Sequence, residues 1–307
     1  MEITYLEDYK ELIHQPATVL VLGYFDGLHI GHQALLNKAR QLADENGLTV
    51  TVLTFSESPR LVFSRFTPDL LLHLTSQKKR IELFESFGVD RLVLNDFTSE
   101  FAQNTPQQFL ERYIRRLNAQ ILVAGFDYHF GNCRADVTDL TELFDGQVVI
   151  IDEVQVEGKK VSSTRIRQAI QTGYVKEANQ LLGYTFSTEG IVVHGDARGR
   201  TIGYPTANLT PFDRVHLPSA GVYVADVEVA GKLYRAMASV GKNVTFDGTE
   251  MRIEAHIFNF DRFIYGEKMT IYWLDKIRDM VKFDGVDSLM NQMTADEKVA
   301  LAWGHDD

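Results

Sequence analysis

A glycine-rich run near the amino terminus carries two histidines: Gly23-Tyr-Phe-Asp-Gly-Leu-His-Ile-Gly-His32. It lies between a strand-like and a helix-like segment, so free backbone N–H groups and the positive end of a helix dipole meet there. Gly27 and Gly31 let the backbone approach a ligand closely, and His29 and His32 add side-chain donors. This arrangement favours a site for a triphosphate whose α-phosphorus is attacked. The alternative is a glycine turn with two histidines that serve only the local structure.

Two further segments of the amino-terminal half have the residue types of a binding site. Ser162-Ser-Thr-Arg-Ile-Arg167 begins a predicted helix, and hydroxyls with Arg165 at a helix start form an anion site. The alternative is a helix cap with a solvated arginine. Gly125-Phe-Asp-Tyr-His-Phe-Gly131 follows a predicted strand. Its glycines and aromatic residues suit either a pocket for flat rings or a tight loop with buried aromatics.

Some polar residues of this half have no assigned chemistry. Lys78, Lys79 and Arg80 open another predicted helix. They form either a solvated face or a phosphate contact. His73 is expected to be incidental rather than a ligand.

The carboxyl-terminal half has its own glycine-rich run, GIVVHGDARGRTIGYPTAN. Such a loop exposes backbone amides, which together with Arg198 or Arg200 suit a polyphosphate. Thr206 and Asn208 place two oxygen atoms beside each other, and Mg²⁺ takes hard oxygen ligands together with phosphate oxygens. Glu254, in a later strand-like segment, is a candidate to accept the proton of a substrate hydroxyl. The alternative is a carboxylate on the outward face of that strand.

The elements that must position these residues change in kind along the chain. Up to Leu182, strand-like and helix-like segments alternate, which predicts a parallel sheet with helices on both faces. The predicted strands are Ala17–Gly23, Leu48–Phe55, Arg91–Leu94, Gln120–Ala124 and Gln147–Val154, and the predicted helices are Gly31–Glu45, Gln77–Phe87 and Pro106–Leu117. Ligands bind such sheets at the carboxyl ends of the strands.

Beyond Leu182 the strand-like segments follow one another without helices, which predicts a small antiparallel barrel. The strands are Thr188–His194, Gly221–Val229, Lys232–Val240, Arg252–Phe260 and Lys268–Lys276, and a closing helix is predicted at Asp287–Trp303. We therefore expect two domains, residues 1–184 and residues 185–307.

Composition narrows the class of protein. The 307 residues are 45% hydrophobic and 24% charged, with a net charge of −11. Both halves are acidic, so non-specific binding to nucleic acid is not expected. The one cysteine, Cys133, excludes an internal disulfide and a cysteine zinc cluster. The polar start of the sequence and the lack of an apolar run of roughly 18 residues lead us to expect a cytoplasmic protein without a membrane partner.

The motifs together resemble those of the bacterial bifunctional riboflavin kinase/FMN adenylyltransferases, or FAD synthetases, over nearly the whole chain. The amino half is similar to the adenylyltransferase module, an α/β nucleotidylyltransferase with a Rossmann-like parallel sheet, in GYFDGLHIGH, LTSQKKR, GFDYHFG and SSTRIR. The carboxyl half is similar to the riboflavin kinase module in GIVVHGDARGRTIGYPTANL, GVY, IEAHIF and YGEKMTIYWLDKIRDMVKF. The resemblance implies that ATP phosphorylates riboflavin to FMN, and that a second ATP adenylylates FMN to FAD with release of pyrophosphate.

The resemblance also implies roles for particular residues. Glu254 would be the base of the kinase, and Thr206 and Asn208 would hold Mg²⁺. His29 and His32 would steady the phosphates of ATP in the other module, with Arg165 closing on them. The implied nucleotide and flavin contacts are Gly23, Phe25, Asp26, Gly31, Gly125, Asp127, Ser163, Thr164, Gly195, Arg198, Gly199, Arg200, Gly203 and Pro205.

The chain departs from the family's pattern at a few positions. Where the family usually has T-F-x-P-H-P, this chain has Thr54-Phe-Ser-Glu-Ser-Pro59, so Glu57 and Ser58 replace a proline and a histidine. In the barrel half, Val244 replaces a usual proline. Two alternatives therefore stay open: a riboflavin kinase with a weak or regulatory adenylyltransferase-like domain, and a flavin-sensing regulator without turnover. The oligomeric state is unknown from sequence.

Overall fold

The structure is a computed structural model that describes residues 1–196, 198–242 and 251–304 of the chain. Contacts between residues divide the chain into two compact units, Met1–Ser162 and Ser163–Asp307. The sequence puts the domain boundary at residues 184/185, where the strand-only pattern begins. In the structure the preceding helices pack with the barrel: the Asn179 amide donates to the carbonyl oxygen of Trp273 (2.8 Å) and accepts from the N–H of Phe186 (2.7 Å).

The first unit, residues 1–162, mixes strands and helices. Its strands are β1 Glu2–Leu6, β2 Thr18–Leu22, β3 Thr49–Phe55, β4 Arg91–Asn95, β5 Ala119–Gly125, β6 His129–Phe130, β7 Ala135–Asp136, β8 Gln147–Ile151, β9 Gln155–Val156 and β10 Lys159–Lys160. Its α-helices are α1 Ile30–Asn46, α2 Arg60–Phe63, α3 Gln77–Ser86, α4 Ser99–Ala102, α5 Pro106–Phe109 and α6 Val137–Leu143. Two 3₁₀ turns lie at Tyr9–Glu11 and Pro68–Leu71, and a π-helical turn lies at Leu110–Ile114.

Six of these strands form the predicted parallel sheet, in the order β1-β4-β3-β2-β5-β8. From β2 the chain proceeds outward through β3 and β4, and it then returns to the other side of β2 with β5. The order therefore reverses between β2 and β5, and open α/β sheets bind ligands at the carboxyl ends of the strands at such a switch point. All five residues of β2 are buried, as expected for a parallel strand covered on both faces.

β1 and the helix predicted at Pro106–Leu117 are two of the places where the first unit differs from the sequence prediction. β1 was not predicted, because EITYL is polar enough to resemble a loop; the strand pairs at the sheet edge with β4, and of its residues only Leu6 is buried. The helix predicted at Pro106–Leu117 is α-helical only as far as Phe109 and continues as a π turn, in which the N–H of Arg115 bonds to the carbonyl oxygen of Leu110. By contrast, Gly47 ends α1 in the left-handed conformation (φ 66°), as the Asn-Gly signal predicts.

The second unit, residues 163–307, begins with two helices and then forms a barrel. Its elements are α7 Ser163–Thr172, α8 Val175–Leu182, β11 Ser187–Val193, α9 Arg198–Thr201, β12 Ala207–Pro211, β13 Gly221–Val229, β14 Lys232–Lys242, β15 Met251–Ile257, β16 Lys268–Arg278 and α10 Val286–Ala302. The strands close in the order β11-β12-β15-β14-β13-β16, and every pair is antiparallel. The predicted barrel and closing helix are confirmed. Residues 243–250, which include Val244, lie outside the described residues.

The barrel contains one strand that the sequence analysis placed within the glycine-rich loop. Ala207 and Asn208 of the PTAN run begin β12, which pairs with both β11 and β15. A strand of five residues between two prolines gives little sequence signal, and it becomes a strand because the barrel needs it to close. The barrel interior holds Tyr223 and Trp273, both fully buried, and the Trp273 indole N–H donates to the Thr188 hydroxyl (2.9 Å).

Two candidate active sites

The loop after β2 places His29 and His32 against each other at the start of α1. His29 caps the helix: its Nδ1 accepts a hydrogen bond from the backbone N–H of His32 (3.3 Å). The two imidazole rings are stacked, with centroids 3.6 Å apart. Glycine at position 31 leaves room for the His29 ring, because a Cβ there would lie only 3.1 Å from it. The predicted helix-start site therefore has both histidines in one stack.

Both imidazoles are neutral at pH 7. Burial lowers the pKa of His29 to about 4, although Asp26 and Asp127 oppose that shift. Burial also lowers the pKa of His32 well below its ordinary value of 6.5, and the positive charge of Arg80, and of His29 when it is protonated, acts in the same direction. Since Nδ1 of His29 accepts a hydrogen bond, its proton lies on Nε2. Nδ1 of His32 is buried without a hydrogen-bond partner among the described residues. The pair can therefore donate or accept hydrogen bonds, but it brings no positive charge.

The other residues predicted in this loop give it its shape. A Cβ at Gly23 would lie 2.7 Å from the ring of Phe25, and Phe25 has a positive φ of 58° and packs edge-on against His32 (5.1 Å). Asp26 is 3% exposed and accepts a hydrogen bond from the N–H of Leu74 (2.9 Å). Phe25 therefore packs against His32 from inside the protein, and a direct nucleotide contact by Phe25 or Asp26 stays a prediction.

The loop after β5 brings the GFDYHFG motif to the same switch point. β5 pairs directly with β2, and the charges of Asp127 and Lys160 both act on His29. Asp127 forms an ion pair with Lys160 of β10 (2.5 Å), whose ammonium also lies 4.5 Å from the centre of the Phe126 ring. A Cβ at Gly125 would lie 3.3 Å from the Asp127 carboxylate. Lys160 was not predicted, because in the sequence it is one of two lysines in a short hairpin.

The SSTRIR motif opens α7, in the second unit. Ser163 and Thr164 occupy its first positions. The Arg165 guanidinium is ion-paired with Glu177 of α8 (2.8 Å), so it is not simply a solvated arginine. Its contact with ATP phosphate stays a prediction.

Arg80 has a role that sequence reasoning missed. It is 3% exposed, so it lies neither on a solvated face nor at an open phosphate site. Its guanidinium donates to the carbonyl oxygen of Phe55 (2.8 Å) and to that of Tyr24, which ties the carboxyl ends of β3 and β2 together. A basic cluster at a helix start gives no signal for such a buried arginine.

His73 has two polar side-chain partners. Its Nδ1 lies 3.1 Å from the Tyr24 hydroxyl, and its Nε2 lies 3.2 Å from the Glu57 carboxylate. Glu57, one of the family departures, is therefore held by His73, which also contacts Tyr24 of the loop after β2. No spacing in the sequence joins these positions, which are brought together only by the sheet.

In the barrel, Glu254 lies in β15 between two polar neighbours. Asn208 of β12 and Ser239 of β14 are its cross-strand partners. The Thr206 hydroxyl donates to the Glu254 carboxylate (3.4 Å), so the barrel brings Thr206, Asn208 and Glu254 together. Burial raises the pKa of Glu254, opposed by nearby Arg252 and the Thr206 hydrogen bond.

Glu254 borders a cavity of about 410 Å³ in the second unit. Most of its other walls are apolar: Met237 of β14, Met280 and Phe283 of the segment after β16, and Leu289 and Met293 of α10. The cavity therefore offers an apolar space for a flat ring, with a carboxylate and a hydroxyl at its wall. The sequence did not indicate these apolar residues, because nothing local distinguishes them from ordinary core positions.

The glycine-rich loop packs closely around the PTAN run. A Cβ at Gly195 would lie 2.3 Å from the Asn208 amide nitrogen, and one at Gly199 would lie 2.1 Å from the Tyr204 carbonyl oxygen. Gly203 has a φ of 85°, and the Pro205 carbonyl oxygen accepts from His256 Nδ1 (2.8 Å). Glycine is thus required for contact within the protein, in addition to any ligand approach.

The two predicted arginines of this loop differ in what the structure shows. Arg198 begins α9, a helical turn within a loop that was expected to be irregular, and its side chain lies outside the described residues. The Arg200 guanidinium lies 3.3 Å from the Tyr265 hydroxyl and 5.2 Å from the centre of the Phe263 ring. A polyphosphate contact by either arginine stays a prediction.

Fold and sites together define a class: a nucleotidyltransferase-like α/β unit followed by a flavokinase-type barrel. Comparison with family models agrees, because the FAD synthetase model matches residues 12–165 and the riboflavin kinase model matches residues 182–303. Both models leave residues 166–181 unmatched, and the boundary at 184/185 stays a prediction.

Curated relatives make the assignment specific. A bifunctional riboflavin kinase/FMN adenylyltransferase of Listeria monocytogenes is 41% identical over 95% of this chain and 96% of its own length. The Bacillus subtilis protein of the same name is 37% identical over 94% of this chain and 93% of its own length. The chain belongs to the bifunctional riboflavin kinase/FMN adenylyltransferase family, as the motifs predict.

A solved structure supports the fold over the whole chain. It is a Streptococcus pneumoniae protein described as a macrolide-efflux protein, 50% identical, with a TM-score of 0.94 over 99% of this chain and 100% of that one. In the part of our chain that the structure describes, no helix is both long and apolar enough to cross a membrane.

Proposed function

We propose that the chain makes FMN in the barrel unit and FAD at the switch point of the parallel sheet, with ATP as the second substrate of both reactions. Membership in a bifunctional family with both catalytic domains present makes the chain an enzyme of flavin cofactor synthesis. The two alternatives, a weak or regulatory amino-terminal domain and a flavin sensor without turnover, are not favoured, because the family models match both domains.

One observation carries the kinase assignment: a half-buried carboxylate borders an apolar cavity beside the PTAN run. In the reaction, the terminal ribityl hydroxyl of riboflavin attacks the γ-phosphorus of ATP, the bond to the β-phosphate oxygen breaks, and ADP leaves. Glu254 takes the hydroxyl proton, for which its raised pKa suits it better than an exposed glutamate. The flat flavin ring occupies the cavity lined by Met237, Phe283 and Leu289.

The residues at this wall fit a magnesium ion. Thr206 Oγ1 and the Glu254 carboxylate lie 3.4 Å apart, and Asn208 is the cross-strand partner of Glu254. Hydroxyl, amide and carboxylate oxygens are hard donors, which Mg²⁺ prefers together with phosphate oxygens. Thr206 and Asn208 would hold the ion, which would neutralise phosphate charge when bound. The glycine-rich loop with Gly195, Arg198, Gly199, Arg200, Gly203 and Pro205 would cover the nucleotide.

The switch-point site suits the second reaction. A phosphate oxygen of FMN attacks the α-phosphorus of ATP, and pyrophosphate leaves. Charge develops on the phosphates, and His29 Nε2–H and the free N–H groups at the start of α1 are donors that would stabilise such charge. Because both histidines are neutral, Lys160 is the candidate for positive charge within this unit. The remaining nucleotide and flavin contacts proposed in this unit are Gly23, Phe25, Asp26, Gly31, Gly125 and Asp127. Contacts by Ser163, Thr164 and Arg165, which belong to the second unit, stay a prediction from the family resemblance.

One incubation tests the whole proposal. The purified chain is mixed with riboflavin, ATP and Mg²⁺, and flavins are separated by chromatography over time. FMN should appear first and FAD afterwards, with ADP and pyrophosphate as the by-products. Supplying FMN instead of riboflavin should give FAD directly. FMN that accumulates without FAD would contradict the adenylyltransferase assignment, and bound flavin without ADP would contradict turnover altogether.

A further inference from the structure

Tyr204 connects the glycine-rich loop to α10. Its backbone N–H bonds to the carbonyl oxygen of Gly199 (2.8 Å). Its hydroxyl donates to the carboxylate of Glu297 (3.2 Å) and lies 2.9 Å from the hydroxyl of Thr294, both on α10. Both the backbone N–H and the side-chain hydroxyl of Tyr204 are therefore hydrogen-bonded, and the half-buried side chain connects the loop to the helix.

The two residues that follow Tyr204 lead directly to the reactive carboxylate. The Pro205 carbonyl oxygen accepts from His256 (2.8 Å), whose ring also meets the Tyr204 ring edge-on at 5.1 Å. The Thr206 hydroxyl then contacts Glu254. His256 and Glu254 are two residues apart in β15, so their side chains lie on the same face of the strand. The position of Tyr204 therefore fixes the backbone that carries Thr206 against this face.

The α10 end of the connection borders the flavin cavity. Leu289 and Met293 of α10 line that cavity, and Met293 immediately precedes Thr294. Tyr204 also lines it. One hydroxyl thus joins the helix that lines the space for the ring to the loop that presents Thr206.

We propose that Tyr204 is a positioning residue for phosphoryl transfer: its hydroxyl, held by Thr294 and Glu297 of α10, sets Thr206 in register with Glu254. The proposal rests on the proposed kinase role of Glu254. It extends that role, because the geometry of the reacting groups then depends on how α10 packs against the glycine-rich loop. Tyr204 itself does not take part in the proton transfer.

The first test is Tyr204→Phe, which keeps the ring and its contact with His256 and removes only the hydroxyl. We expect kcat for FMN formation to fall about tenfold, because small displacements of reacting groups are costly, and KM for riboflavin to change less than kcat. FAD formation from supplied FMN should be unchanged. The matched control is Tyr272→Phe, which removes a similar tyrosine–carboxylate bond, to Glu228 (2.8 Å), from residues that do not line the cavity. This control should form FMN at the wild-type rate.

The second test separates positioning from simple structural support. If Tyr204 acts through Thr206, then Tyr204→Phe should lower kcat much less in a Thr206→Ala background than in the wild type. Equal fold losses in both backgrounds would overturn the proposal. Glu297→Gln, which weakens the same contact from the side of α10, should reproduce the loss in kcat even if Tyr204→Phe folds poorly.

The outcomes also separate this inference from the proposed function. A wild-type chain that forms no FMN would refute the proposed function, and the inference with it. A wild-type chain that forms FMN at the same kcat as Tyr204→Phe would refute only the inference.

Discussion

Replacing Glu254 by glutamine tests the kinase site most sharply. Glutamine has nearly the same size, so the cavity of about 410 Å³ and the contact with Thr206 should persist, but an amide cannot take the hydroxyl proton. Loss of a general base costs about 10² to 10⁴ in rate, or about 2.7 to 5.5 kcal/mol of transition-state stabilisation. The nearby carboxylate of Asp196 should not substitute, because it is ion-paired with Arg252 (2.8 Å).

The pH dependence gives the same test a second readout. Burial raises the pKa of Glu254 above its ordinary value of 4.5, and only the ionised form can act as the base. FMN formation by the wild type should therefore rise with pH through the raised pKa and be lost below it, whereas Glu254→Gln should lack this step. A raised carboxyl pKa also means that ionisation disfavours the folded state as pH rises. The variant should accordingly be at least as stable as the wild type at pH 7.

The assay follows FMN and ADP formation from riboflavin, ATP and Mg²⁺, with FAD formation from supplied FMN as an internal control. The matched substitution is Glu228→Gln, at a carboxylate that accepts a hydrogen bond from Tyr272 outside the cavity. We expect Glu254→Gln to lose FMN formation and keep FAD formation, and Glu228→Gln to keep both. Unchanged FMN formation in Glu254→Gln would refute the base assignment, and selective loss of FAD formation would refute the assignment of reactions to units.

Three further changes have separate expected outcomes. His32→Ala should lower FAD formation about 10²-fold by removing one oriented group and leave FMN formation intact; loss of FMN formation alone would contradict this. Gly195→Ala places a Cβ 2.3 Å from the Asn208 amide nitrogen and should displace that side chain. FMN formation should therefore fall at least about tenfold, while FAD formation persists. Wild-type kinetics of FMN formation would show that Asn208 need not stay in place. Arg80→Met removes buried hydrogen bonds at the ends of β2 and β3. It should lower the free energy of unfolding of the amino-terminal unit by about 2 to 4 kcal/mol, measured by thermal unfolding. An unchanged unfolding midpoint would contradict the structural role of Arg80.

The parallel sheet and the barrel could be predicted because their signals are local. A buried parallel strand such as β2 is a continuous apolar run, and a glycine in the left-handed conformation, as at Gly47, ends a helix in a recognisable way. Elements with a weak sequence signal were missed, or their ends were predicted at the wrong residues. β1 is largely exposed at a sheet edge, and β12 is a short strand between two prolines that only barrel closure requires.

The amino-acid sequence by itself determined the two-part architecture, the family, and the positions of the histidine pair, the PTAN run and Glu254, because each of these depends on residues close together in the chain. Tertiary structure alone decided which distant residues meet. It buried Arg80 across the ends of two strands, joined Glu57 to His73, placed Lys160 beside Asp127, and set Tyr204 against α10. It also made both histidines neutral, because a pKa depends on burial and on neighbouring charges, and these exist only once the chain is folded.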